Sequence, residues 1–296
     1  MIKHLPLFFL LLIPSVPAAT HISPVTFRDI SYVKDAGERQ QLDIYLPANY
    51  KKAEKPLPVI VFLHGGYWEF GDKRHVAGFA EGCAKLGFAA AAVNYRFVPD
   101  NPMPAQIEDV KAAIRWLRAN AEKYKLDTER FGVWGYSAGG HLSALLATTG
   151  DTREFDVGEN LEHSSAVLAA CDVAGPTDFE AFAEEDPSVI SECEKVFGGS
   201  REEKEDLIRK MGSVNHVGKT SSPILILHAE DDDVVLVSQA RLLHKTMKAA
   251  GAVSYLYVFP EDEGGHGSPR LFDEEAQKLM VKFFMKHVVN TEIVKP

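Results

Sequence analysis

A serine, a run of acidic residues and a histidine, each in a turn-forming context, are the side chains of this sequence best suited to chemistry. Ser137 sits in Gly135-Tyr136-Ser137-Ala138-Gly139, after an apolar run from Phe131 and before a small-residue stretch that reaches Ala147. A serine at so sharp a strand-to-helix bend is forced outward, and small flanking residues let the two backbones cross closely. The bend also puts the first amides of a helix behind the hydroxyl, aimed at the place where an oxyanion forms. The acidic run Glu230-Asp231-Asp232-Asp233 ends the apolar stretch Pro223 to Ala229, and His266 lies between Gly265 and Gly267. A glycine-bracketed histidine has little use in core packing, so its ring is expected to act as a base. Nucleophile, base and carboxylate together imply acyl transfer through a covalent intermediate. A glycine-rich turn between strand and helix also occurs without any chemistry, so Ser137 alone decides nothing.

A second glycine turn lies upstream, where the apolar run Pro58 to Leu63 closes on His64-Gly65-Gly66-Tyr67-Trp68. Other residues accompany it in order: Gly71-Asp72-Lys73, Asn94-Tyr95-Arg96, Pro104-Ala105, Asp109, Arg115-Trp116-Leu117, the Ser137 turn, Asp232 and His266. On these the chain resembles the esterase/lipase branch of the α/β-hydrolase superfamily, most closely its bacterial feruloyl-esterase-like carboxylesterase and kynurenine formamidase domains. The succession nucleophile, acid, histidine is that of the family. The resemblance spans roughly residues 40 to 290 and implies an α/β-hydrolase fold, with a mostly parallel eight-stranded sheet, helices on both faces and a small helical cap. It implies Ser137, Asp232 and His266 as catalytic residues, Asp232 being selected because His228 and Val235 frame it at the family's spacing. Asp233 is the next candidate for the acid, and Asp172 or Asp178, beyond an earlier strand, are further ones. Amides of Gly65, Gly66 or Tyr67, together with Ala138, are the implied oxyanion donors. Tyr67 stands where many lipases carry a third glycine, so the first three stay open. Trp68 is expected to line the substrate pocket or to pack in the core. His64 and His141 are expected to be structural, and Arg96 and Asp109 to form an ion pair.

The activity so implied is that of a serine carboxylesterase hydrolysing short-chain or hydroxycinnamoyl (aryl) esters through an acyl-enzyme. An arylformamidase-type amidohydrolase, a serine peptidase and a non-catalytic ligand-binding member of the fold are the alternatives. No cofactor is called for. Four carboxylates in a row suggest a metal, but consecutive residues cannot all face one ion and no His/Cys spacing supports a site, so none is expected.

The elements that must position these groups follow from periodicity. Thr26 to Val33 and Gln41 to Leu46 flank the turn-like Asp35-Ala36-Gly37 as a hairpin. Strands at Val59 to Leu63, Phe88 to Asn94, Phe131 to Tyr136, Ser164 to Val173, Pro223 to Ala229 and Val253 to Phe259 alternate with helical patterns at His75 to Leu86, Ile107 to Ala121 and Pro269 to Val289. That alternation predicts a mainly parallel sheet with ligands at the carboxyl ends of its strands. Residues 178–222 carry two acidic helical pieces, Asp186 to Phe197 and Arg201 to Met211, and are expected to cap the pocket within a single catalytic domain over 19–296.

With 46% hydrophobic and 25% charged residues the chain has an ordinary globular composition, so disorder and repeat arrays are excluded. Its net charge of −10 argues against a nucleic-acid partner, since phosphate binding needs clustered Lys and Arg. The expected partner is a small-molecule ester. The basic start Met1-Ile2-Lys3-His4, the apolar run to Ile13 and the small residues Val16-Pro17-Ala18 read as a signal peptide over 1–18, too short for the ~20 residues of a spanning helix. The protein is therefore expected to be secreted or periplasmic, with no membrane attachment after signal removal. Three cysteines, Cys83, Cys171 and Cys193, allow at most one disulfide, and buried thiols are the expected state of the first two.

Overall fold

The computed structural model describes residues 23–150, 152–261 and 264–290, and residues 1–18, expected to be a signal peptide, lie outside them. Strands β1 (Val25–Ser31), β2 (Gln41–Leu46), β3 (Leu57–Leu63), β4 (Ala89–Val93), β5 (Leu126–Tyr136), β6 (Ala169–Val173), β7 (Ile224–Ala229) and β8 (Ser254–Phe259) form one sheet. Its order is β1-β2-β4-β3-β5-β6-β7-β8, eight strands in all. β1 and β2 pair antiparallel, as do β2 and β4, and every later pair is parallel. This is the sheet of an α/β-hydrolase.

The helices are α1 (Ala77–Lys85), α2 (Ala105–Ala119), α3 (Ala121–Tyr124), α4 (Ala138–Thr149), α5 (Phe179–Glu185), α6 (Ile190–Phe197), α7 (Arg201–Met211), α8 (Val237–Ala249) and α9 (Glu274–Phe284). Alternation along β3 shows how they are divided. Val59, Val61 and Leu63 enter one core with Ile107, Val110 and Ile114 of α2, Leu142 and Leu145 of α4, and Leu243 and Met247 of α8. Ile60 and Phe62 point the other way, into a core with Ala80 and Ala84 of α1 and Met280, Phe283 and Phe284 of α9. A strand buried on both faces reads as a continuous apolar run, which is why β3, β4 and β7 stand out in the sequence. Truncating a side chain such as Phe62 in this core is expected to cost about 3–5 kcal/mol.

Several boundaries differ from those expected. The ladder of β6 begins at Ala169 rather than Ser164, because Arg118 of α2 takes the Ser164 and Ala166 carbonyls instead. The first helix opens as a 3-10 turn, Lys73–Val76, capped by the Asp72 side chain. α5, with Asp178 accepting from the Glu180 and Ala181 amides, is an extra helix in the 178–222 segment, and α8 has no counterpart among the expected elements. α7 carries a capping box between Ser200 and Glu203, and its bounds agree with the sequence.

The long basic side chains of α2 are structural. Arg115 is wholly buried against Asp156 at 2.7 Å, and Lys111 donates to the Thr149 and Glu154 carbonyls at 3.0 and 2.7 Å. Arg96 and Asp109 form the expected ion pair, at 2.8 Å. Cys83 and Cys171 are buried free thiols, burial pushing the former up to about 12. The Cys193 side chain lies outside the described residues. No described helix is long and apolar enough to cross a membrane.

Candidate active site

The carboxyl end of β5 turns at Ser137, whose backbone has φ 56° and ψ −119°, and α4 starts at the next residue. A left-handed φ on a residue other than glycine costs about 1–3 kcal/mol and survives only where its surroundings hold it. Here the Ser137 amide donates to the Val173 carbonyl at 2.8 Å, and the His141 amide donates to the Ser137 carbonyl at 3.0 Å. The two glycines of the motif are required by packing. A Cβ on Gly135 would lie 2.0 Å from the Gly139 carbonyl oxygen, and one on Gly139 would lie 2.3 Å from that of Leu63. Strand and helix therefore cross at backbone contact and leave the serine hydroxyl at the rim.

His266 comes to that rim from the loop after β8, Asp232 from the loop after β7. The imidazole Nε2 is 2.9 Å from Ser137 Oγ, and Nδ1 is 2.8 Å from Asp232 Oδ2. Asp232 is buried, and its Oδ1 accepts from the Val234 and Val235 amides at 3.0 and 2.8 Å. Burial alone would raise its carboxyl. Hydrogen bonds from His228 and His266 outweigh that and hold it well below the usual carboxylate range. His228 Nε2 stands 3.2 Å from Asp232 Oδ2 and 2.7 Å from the Val235 carbonyl. The spacing of His228, Asp232 and Val235 thus has a physical basis, since the three hold one another.

The rest of the acidic run goes elsewhere. Glu230 pairs with Arg241 at 2.6 Å, Asp231 accepts from the Gly265 amide at 3.3 Å, and Asp233 packs beside Gly265. Asp172 accepts from the Gly175 amide at 2.9 Å, and Asp178 caps α5.

The His64-Gly65-Gly66 turn abuts the serine, a Cβ on Gly65 lying 3.1 Å from Ser137 Cβ. Gly66, at φ 123°, has no room for a side chain, because a Cβ would meet the Phe70 carbonyl oxygen at 2.2 Å. The turn closes with the Glu69 and Phe70 amides donating to the Gly66 carbonyl at 2.9 and 3.0 Å. His64 lies beneath it, stacked on Tyr95 at 4.4 Å, with Nδ1 2.8 Å from the Gly65 carbonyl. Burial lowers this imidazole to about 4, so it is neutral at pH 7 and donates to that carbonyl. His141 is likewise neutral, lowered by burial to about 4, and its Nε2 donates to the Met211 carbonyl at 2.8 Å, tying α4 to α7. Ala138, the first residue of α4, contributes one of the amides that helix geometry leaves without an intrahelical acceptor.

Beside Ser137 opens a cavity of ≈ 70 Å³ whose walls include Tyr67, Trp68, Ala138, Phe179, Phe182, Val196 and Val235. Trp68 is one wall of this cavity and is also packed edge-on to His141 at 5.2 Å. The lining is almost wholly apolar.

Two contributors carry no role in the expectations from sequence. Tyr136 stacks on the His266 ring at 5.2 Å and 29°, and its hydroxyl donates to the His266 carbonyl at 2.7 Å, across 130 residues. Burial pushes this phenol up to about 12, so it stays a donor. His228 is the other. Its place before the acidic run was visible, its bond to Asp232 was not.

The BD-FAE family model matches residues 42–247 of this chain. Esterase LipC of Mycobacterium tuberculosis is 30% identical over 260 residues, which are 86% of this chain and 62% of LipC. Kynurenine formamidase of Danio rerio is 27% identical over 148 residues, half of this chain and 47% of that enzyme. The chain thus spans about half to three-fifths of the length of these curated relatives. Among solved structures, a truncated form of a carbohydrate esterase from gut microbiota superposes with a TM-score of 0.80 at 30% identity, covering 90% of this chain and 98% of that one.

Proposed function

Since this chain belongs to the BD-FAE family of α/β-hydrolase esterases, we propose that it is a serine carboxylesterase acting on short-chain or hydroxycinnamoyl (aryl) esters. One observation carries the proposal: an unbroken relay in which Ser137 Oγ lies 2.9 Å from His266 Nε2 while His266 Nδ1 lies 2.8 Å from Asp232.

In this mechanism His266 Nε2 takes the hydroxyl proton as Ser137 Oγ attacks the ester carbonyl. Asp232, kept ionised by its four donors, fixes the tautomer with Nδ1 protonated and stabilises the imidazolium. Negative charge on the carbonyl oxygen falls to the Ala138 amide and to an amide of Gly65, Gly66 or Tyr67. Each such donor is worth about 10²–10³ in rate. His266 then protonates the leaving alcohol, and water, deprotonated by the same imidazole, releases the acid. No step needs a metal or an organic cofactor.

The acyl group would enter the apolar cavity beside Ser137, with Trp68 as one wall and the residues 178–222 acting as its cap. Trimming that cap should change discrimination between short and bulky esters. Export through the signal peptide over 1–18 belongs to the same proposal, and a mature protein whose N-terminus reads Met1 would reject it.

The test is hydrolysis of p-nitrophenyl acetate by the wild type and by Ser137→Ala. Activity only in the wild type supports the proposal, whereas equal activity in both puts the nucleophile elsewhere and none in either favours a ligand-binding role. An N-formyl aryl amide in the same assay reports on formamidase activity.

A further inference from the structure

The sheet has two outer strands, β1 and β8, and they are protected unequally. An outer strand presents a row of backbone donors and acceptors ready to pair with another chain, and proteins blunt it with charge, proline or a bulge. β1 is blunted in this way. Its register on β2 shifts between Phe27 and Ile30, Asp29 lies there at φ 54°, and Arg28 and Asp29 put two charges on the edge. β8, Ser254-Tyr255-Leu256-Tyr257-Val258-Phe259, has no charge, no proline and an unshifted register on β7. Its four middle residues are exposed or half-buried, although all are aliphatic or aromatic. Beside it a groove of ≈ 400 Å³ runs along α9, walled by Tyr255, Tyr257, Leu279, Phe283 and His287. Among the described residues no strand takes the outer side of β8.

The side chains along this edge carry an ordered charge pattern. Tyr255 and Tyr257 point to the α9 face, Tyr255 packing on Phe283, while Leu256 between them packs into the opposite core. Lys286 Nζ donates to the Tyr255 hydroxyl at 2.9 Å, and the Tyr257 hydroxyl donates to Glu275 at 2.6 Å. Glu275 also meets Arg270 at 3.4 Å. A cation thus marks one ring and a carboxylate the other.

We infer that β8 is the interface of a homodimer, two copies pairing antiparallel about a twofold axis at Leu256 so that one sheet runs through both. A twofold contact joins the same patch on each copy, so the patch must complement itself. Residues directly opposite in an antiparallel pair share a face of the sheet, so with Leu256 facing its own copy, Tyr255 stands opposite Tyr257 of the second copy. Lys286 of each copy then comes beside Glu275 of the other. An axis at Tyr257 would set Glu275 against itself, and one at Tyr255 would do the same to Lys286, so like-charge repulsion rejects both registers.

The experiment is sedimentation velocity over a dilution series for the wild type, Lys286→Glu, Glu275→Lys and the double variant. The wild type is expected to run at twice the chain mass. Each single reversal acts at two symmetric contacts and should raise the dimer Kd about tenfold, and the double variant should restore it. Glu275 and Lys286 of one chain lie on the order of 16 Å apart along the helix axis, so such a rescue acts between copies. Leu256→Cys gives a second reading, since opposite Cα atoms in such a pair lie about 4.5–5.5 Å apart, within disulfide reach. Oxidation with diamide should link two chains through that residue, as peptide mapping would show. A wild type that sediments as a monomer or as open-ended aggregates overturns the inference. So does a dimer that neither reversal weakens and that Leu256→Cys fails to link, which would put the contact elsewhere. If melting curves show that a reversal unfolds the chain, the Leu256→Cys link decides alone.

Discussion

The carboxyl ends of β6 and β7 are adjacent in the sheet, and each carries a buried aspartate. Asp172 and Asp232 were both candidates for the acid, and their surroundings drive them in opposite directions. Asp232 gathers two backbone amides and two imidazoles and is held ionised. Asp172 has one amide, from Gly175, and its Oδ2 has no hydrogen-bond partner among the described residues. Burial pushes Asp172 up to about 7, against the opposing pull of His228 and the Gly175 amide. Burial is therefore common to both and decides neither. The number of donors converging on the carboxylate decides, and of the two only Asp232 has enough of them to stay ionised beside His266.

The comparison breaks first at Asp232→Asn. With the imidazole tautomer no longer fixed, kcat is expected to fall about 10⁴-fold, as in other triads. Asp172→Asn should move kcat far less, and steady-state kinetics on one ester reads both. A fall of similar size in the two variants would mean that they are not distinct.

The second prediction concerns stability and is of order 4 kcal/mol at most, taking the unfolded aspartate at about 3.9. Because the folded value of Asp172 lies above the unfolded one, the native chain holds the proton more tightly. The stability so gained is complete below pH 4, declines as pH rises towards 7 and is flat beyond. Denaturant melts between pH 5 and 8 should show that decline in the wild type and a weaker one in Asp172→Asn.

His228 acts on both carboxylates, bonding to Asp232 and opposing the rise of Asp172. Its bond to Asp232 is charge-assisted, so His228→Leu is expected to lower kcat by about ten- to a hundredfold, with KM little changed. A changed KM with normal kcat would instead point to a disturbed pocket. The smallest effect belongs to Tyr136→Phe, which removes one hydrogen bond to the His266 carbonyl while keeping the stacked ring. A loss of about 1 kcal/mol is expected, seen as a few-fold lower kcat and a Tm drop of a few degrees.

Much of this was legible in the sequence because glycine and apolar runs are local signals. Gly135 and Gly66 are glycines for steric reasons confined to a few neighbouring residues, and β3 and β7 are buried on both faces. Asp232 was distinguishable through the spacing to His228 and Val235. What escaped depends on distant contacts. The bond from Tyr136 to His266 spans 130 residues, and the burial of Lys111 and Arg115 needs the carbonyls of Thr149, Glu154 and Glu159. The exposure of Tyr67 against the burial of Trp68 depends on backbone angles that no periodicity reports. Helix α8 was hidden by the charged run before it.

The central claim is that Ser137 is a nucleophile activated by His266. Intact-mass and peptide mapping after treatment with a p-nitrophenyl phosphonate ester tests it most directly. A single stoichiometric adduct on the Ser137 peptide, absent from Ser137→Ala and slowed sharply in His266→Ala, is the predicted result. No adduct, or one on another residue, would contradict it.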